Sequence, residues 1–149
     1  MRALGILAQM DPETFIAGVR GVVTGSDDAI PVLIDSNRQL GTTSSSARFK
    51  EEIEDMGEVS SELLKLRPVT FRYKDSQGGA RHFGLIAEEV DKVLPDLVVR
   101  TPEGEVETVL YHEMPAMLVN ELQKQQKRIE ALEARLAELA ASRRRLRMP

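Results

Sequence analysis

The sequence predicts an α+β fold, in which a small mixed domain of short strands and helices precedes a long C-terminal coiled-coil helix. Two observations carry this. Between residues 69 and 111, β-branched runs alternate with turn residues at short intervals, the pattern of hairpins rather than of long βαβ units. Further on, Leu122, Ile129 and Leu136 fall seven residues apart, with Leu118, Leu132 and Leu139 on the complementary register. Apolar residues at these two heptad positions describe the seam of a left-handed coiled coil.

Taken in order, residues 12–43 read as short strands separated by turns. Phe15 to Gly25 is β-branched and glycine-punctuated, Ser26-Asp27-Asp28 marks a turn, and Ile30 to Asp35 reads as a second strand before Ser36-Asn37. Two strands cannot bury a core alone, so this piece needs partners. Ser44 to Lys50 is a polar junction. Glu51 to Leu66 reads as a helix, because Ile53, Met56, Val59, Leu63, Leu64 and Leu66 recur at near-helical spacing, with Gly57 its weak point and Pro68 its stop.

Val69 to Tyr73 and Arg81 to Ile86 read as paired strands around a loop at Asp75 to Gly79. Ala87 to Leu94 is a short helix ended by Pro95, and Leu97 to Arg100 pairs with Val106 to Tyr111 across Thr101-Pro102-Glu103-Gly104. From Glu113 the chain is helical to about residue 143, interrupted in its seam by Gln125 and Arg143. Arg128 precedes Glu133 by the spacing that pairs charges between parallel chains. The mixture of Ile and Leu at the seam leaves dimer and trimer open. The organisation expected is residues 1–43 as a β-structured stalk remnant, 44–112 as the core domain, and 113–149 as coiled-coil helix and basic tail.

Composition narrows the function. Hydrophobic residues make up 42% and charged residues 30% of 149, so the chain is a folding one. Aromatics are only 4% with no Trp, which implies a modest aliphatic core that gains from oligomerisation. A net charge of −4 argues against nucleic acid as a partner, and the run Arg143-Arg144-Arg145-Leu146-Arg147 reads as a solvated terminus. No apolar run approaches the ~20 residues of a membrane span, and Met1 to Ala8 is too short for a secretory leader, with Asp11 and Glu13 close behind. No membrane partner is expected, and synthesis is expected to be cytoplasmic. Cysteine is absent, and His82 and His112 stand 30 residues apart without a ligand pattern, so neither a metal nor any other cofactor is expected. Glu88, Glu89 and Asp91 read as a solvated helix face.

One pair of residues carries chemistry. Ser45 precedes Lys50 by five positions, the minimum equipment for a serine nucleophile and a lysine base. A serine hydroxyl attacks only when a base removes its proton. A lysine, with a pKa of ~10.4 in water, becomes such a base when desolvated or placed beside another cation such as Arg48. Attack by Ser45 on the carbonyl of Ser44 closes a five-membered ring. Cutting between Ser45 and Ser46 requires activated water or a serine from a neighbouring chain, so Ser44, Ser45 and Ser46 together mark the candidate cleavage site. Backbone N–H groups at the start of a helix beginning at Glu51 are the candidate oxyanion donors.

The blocks Leu63-Leu64-Lys65-Leu66-Arg67-Pro68-Val69-Thr70-Phe71-Arg72-Tyr73 and His82-Phe83-Gly84-Leu85-Ile86-Ala87-Glu88-Glu89-Val90 follow the Ser45–Lys50 pair. Then come Val93-Leu94-Pro95-Asp96-Leu97-Val98 and Val109-Leu110-Tyr111, ahead of the heptads. In that order they resemble the peptidase S74 domain, the intramolecular chaperone auto-processing domain at the C-terminus of phage tailspikes, tail fibres and endosialidases. The resemblance implies a homotrimer that registers an upstream β-fibre segment and then releases itself by autoproteolysis, a serine endopeptidase acting on its own chain. By position, Ser45 and Lys50 match the family's catalytic serine and lysine, and Arg48 a basic position between them. Its coiled coil would run through Leu118, Leu122, Ile129, Leu132, Leu136 and Leu139. Where the family pattern has Asp after the serine, this chain has Ser46. The alternative is therefore a non-catalytic trimerisation and folding module of a tail-fibre-like protein. Its partners would be itself and the fibre segment, and its place a virion tail or a prophage product.

Overall fold

A computed structural model describes residues 14–74 and 79–145. It confirms the mixed class, with short antiparallel strand pairs and one long C-terminal helix. The chain divides into two units between Glu52 and Ile53.

In the first unit, β1 (Leu33–Ile34) pairs antiparallel with β2 (Leu40–Gly41), Leu33 opposite Gly41 and Ile34 opposite Leu40. The Asp35 carboxylate closes the turn, accepting the N–H groups of Asn37 at 2.9 Å and Gln39 at 2.8 Å, as Asx turns do. The strand expected over 15–25 does not form. That stretch has turns at 17–18 and 20–21 and no ladder partner among the described residues. Every described residue of this unit is exposed except Leu33, which is half-buried. Local hydrogen bonds, rather than apolar burial, hold the segment.

The second unit is built from two hairpins, a short helix and the long helix. Strand β3 (Val69–Phe71) pairs with β4 (His82–Gly84), Val69 facing Gly84 and Phe71 facing His82. Most of the loop expected between them, Asp75 to Gly79, lies outside the described residues. Helix α1 (Ala87–Asp91) follows, with Glu88 and Glu89 in its first turn, where the helix dipole favours acids. Strands β5 (Val98–Arg100) and β6 (Val106–Val109) form the second hairpin, with a register shift between Val99 and Arg100. Helix α2 runs from Met114 to Arg145, 32 residues or about 48 Å at 1.5 Å per residue.

The core is small and aliphatic, consisting of Val90, Leu94, Leu97, Val109 and Met117. Leu63, Leu66, Leu85, Val93, Val98 and Met114 pack around it. Leu110 N–H donates to Leu97 O at 2.8 Å, which ties the end of β6 to the segment before β5. Gly84 is required by close approach. A Cβ there would sit 2.9 Å from the Tyr111 hydroxyl and 3.2 Å from Phe71 Cε1.

The helix expected over Glu51 to Leu66 is corrected. Only Val59–Lys65 is helical, as a 3-10 segment. Upstream, Glu52 and Gly57 take φ of 51° and 59°, left-handed conformations that interrupt any α-helix. The apolar spacing belongs instead to a winding segment whose second half lies along α2.

Candidate functional site

The junction at Ser44 to Lys50 is a single local turn. Ala47–Phe49 form a 3-10 turn, closed by Phe49 N–H on Ser46 O at 3.1 Å and Lys50 N–H on Ala47 O at 3.0 Å. Ser46, extended at φ −66° and ψ 134°, precedes it. Its N–H donates to the Ser44 hydroxyl at 3.2 Å, so Ser44 braces the approach to the turn. Ser45 and Lys50 therefore flank the turn, both exposed. Among the described residues, neither Ser45 Oγ nor Lys50 Nζ has a hydrogen-bond partner, and the two do not bond each other. The Arg48 guanidinium lies 4.6 Å from the centroid of the Phe49 ring, an adjacent cation–π contact. The helix start at Glu51 that was to offer oxyanion donors is absent, because residues 51–58 are irregular. The seven-residue run thus presents an accessible serine and an accessible lysine on either side of a short hydrogen-bonded turn.

The structure does bring one serine and one lysine together, and they are not the pair singled out by spacing. Lys124 of α2 donates from Nζ to Ser61 Oγ. It also lies 2.7 Å from Glu58 Oε2 and 3.2 Å from Glu121 Oε2. Ser60 is fully buried and donates to Glu121 Oε2 at 2.9 Å. Asn120 Nδ2 donates to Gly57 O and to Ser60 Oγ, each at 2.8 Å.

The electrostatics of this cluster run against catalysis. Hydrogen bonding to Glu58, together with Glu121, raises Lys124 above the usual lysine range, so it stays an ammonium and cannot take a proton from Ser61. Hydrogen bonds from Ser60 and Lys124 hold the Glu121 carboxyl below its usual range despite burial. Bonds from Lys124 and Ser61 do the same for Glu58. The cluster is a latch that fixes the 59–65 segment onto α2. Spacing gave no sign of it, since its partners lie about sixty positions apart.

Beyond the latch, α2 loses its intramolecular neighbours. Every described residue from Gln125 to Arg145 is exposed. Leu118, Leu122, Ile129, Leu132, Leu136 and Leu139 are between 49% and 65% exposed, although a lone soluble helix gains little by displaying such a stripe. Leu146 and Arg147 lie outside the described residues, as does the segment Met1 to Ala8. No group of three or more His, Cys, Asp or Glu among the described residues is placed to hold a metal ion. No described helix is long and apolar enough to cross a membrane.

Residues 45–99 match the family model Peptidase_S74, described as chaperone of endosialidase. A stretch similar to that family is therefore present. It covers less than half of the chain, begins at Ser45, includes Lys50 and ends within β5, so α2 lies wholly beyond it. No curated protein matches the chain.

Proposed function

We propose that the chain is a self-cleaving intramolecular chaperone. It trimerises through α2, templates an upstream β-fibre segment, and cuts the peptide bond beside Ser45 with Ser45 and Lys50 as nucleophile and base. The observation that carries the reading is the S74 match, whose first residue is Ser45 and which takes in Lys50. Two features of the structure favour assembly. Residues 14–52 bury almost nothing of their own, and the heptad stripe of α2 is open over its whole described length.

Exposure of the dyad fits a reaction that waits for assembly. An exposed lysine is a poor base, and packing of neighbouring copies around the 44–50 turn supplies the missing desolvation. Lys50 then takes the Ser45 Oγ proton while Oγ bonds to the Ser44 carbonyl carbon. The Ser44–Ser45 C–N bond breaks, its nitrogen leaves as an amine protonated by Lys50, and an ester remains between Ser44 and the Ser45 oxygen. Water hydrolyses that ester. Cleavage at 45–46 instead calls for water or a neighbouring chain's serine as the attacking group. The products are a trimerised fibre segment and a free chaperone trimer, which places the protein with a virion tail or a prophage product.

The second reading is a trimerisation and folding module without protease activity. It is favoured by Ser46 in the position that is Asp in the family pattern and by the unbonded Ser45–Lys50 pair. Sedimentation equilibrium of Ser45→Ala tests what the two share. A trimeric mass is expected, and a monomer at tens of micromolar would overturn both. N-terminal sequencing of any fragment from the parent chain then separates them and fixes the bond cut.

A further inference from the structure

The second unit contains a cleft of about 260 Å³ lined by Phe71, Tyr73, Leu85, Glu88, Glu107 and Tyr111 among its residues. Its wall is aromatic. The Phe71 and Tyr73 rings meet edge to face at 5.2 Å, and His82 stacks on Phe71 at 5.7 Å and meets Tyr73 at 5.2 Å. Tyr111 also lines it, its hydroxyl accepting Leu85 N–H at 2.8 Å.

Among the described residues, the two carboxylates at the cleft have no charge partner, unlike their neighbours on α1 and in the latch. On α1, Glu89 bonds Arg67 and Asp91 bonds Arg100, while Glu58 and Glu121 share Lys124. Glu88, one residue before Glu89, has no basic or hydrogen-bonding partner among the described residues, and neither has Glu107 on β6. Aromatic faces beside unpaired carboxylates attract a cation that is itself flat and weakly hydrated, which describes a guanidinium better than an ammonium. The volume lies below the ~300–1,000 Å³ of sites for drug-sized ligands, a fit to one side chain rather than to a nucleotide. The chain's own terminal arginines do not reach it, because α2 carries Arg143 to Arg145 roughly 45 Å from Met114.

We propose that this cleft binds the guanidinium group of an arginine supplied from outside the unit. The inference stands independently of the cleavage reading. The test titrates full-length Ser45→Ala with N-acetyl-arginine amide, followed by amide chemical shifts. Saturable shifts at Leu85, Glu88, Thr108 and Tyr111 are expected, with little response to the neutral isostere N-acetyl-citrulline amide. The exposed double variant Glu88→Gln/Glu107→Gln should weaken binding about tenfold. Free L-arginine separates the two sources. Tighter binding of the amide supports a peptide-borne arginine, and equal binding supports the free amino acid. An absent or non-saturable response, an equal response to the citrulline compound, or unchanged affinity in the double variant would overturn the proposal.

Discussion

Ser60 donates its hydroxyl proton to Glu121 Oε2 at 2.9 Å, across 61 positions of sequence. Ser60 is fully buried and Glu121 nearly so, so the bond adds to the Lys124 ion pair in compensating a carboxylate withdrawn from water. Together with Lys124 and Asn120 it fastens the 59–65 segment to α2, and so joins the stretch that matches the family model to the helix that displays the heptads.

That arrangement makes stability acid-sensitive. Glu121 and Glu58 titrate lower in the folded chain than the ordinary carboxylate value. Their contribution is therefore present above the unfolded pKa of ~4.3 and is lost as pH falls through the folded values. Lys124, raised by the same contacts, contributes fully below ~10.4 and loses its share as pH rises through its folded value. Thermal melting of Glu121→Gln should show a lower Tm at neutral pH and a shallower fall in acid than the parent. Parallel pH profiles would contradict the latch.

The Ser61–Lys124 contact should be irrelevant to cleavage. Ser61→Ala and Lys124→Met lower stability but leave the fragment pattern of the parent in place, as read by denaturing gels. Loss of fragments in a folded Ser61→Ala chain would move the nucleophile from Ser45.

Gly84 leaves no room for a side chain between Tyr111 and Phe71. Gly84→Ala should cost about 1–3 kcal/mol, the usual penalty of overpacking, measured by urea unfolding. It should also disturb the aromatic cleft. A neutral effect would mean that both rings move aside freely.

The open stripe on α2 predicts a sharp assembly phenotype. Leu132 and Leu136 are 53% and 65% exposed in the single chain, so Leu132→Asp or Leu136→Asp should leave the second unit folded by circular dichroism while abolishing self-association. An unchanged sedimentation profile would show that the stripe is not the interface.

Much of this was legible in the sequence, element by element. The Val69–Phe71 and His82–Gly84 strands, the helix at Ala87 and the long helix from Met114 follow from short β-branched runs, turn residues and heptads. Glu51 to Leu66 misled because its apolar spacing is helical while its backbone turns left-handed at Glu52 and Gly57, and tertiary packing on α2 rather than propensity sets its path. Phe15 to Gly25 misled because β-branching marks a strand only where a ladder partner exists. The latch was invisible because Ser60, Ser61, Glu121 and Lys124 look like ordinary surface residues until the 59–65 segment is laid on α2. The Ser45–Lys50 pair was legible only as spacing within an ordered set of blocks, since nothing around it in the single chain distinguishes it.

The most direct test is the intact mass of freshly expressed chain beside Lys50→Ala. The account predicts two fragments in the parent, splitting at 44–45 or 45–46, and one uncut mass in the variant. A single uncut mass in both, from a chain that sediments as a trimer, would contradict self-cleavage and leave an assembly module.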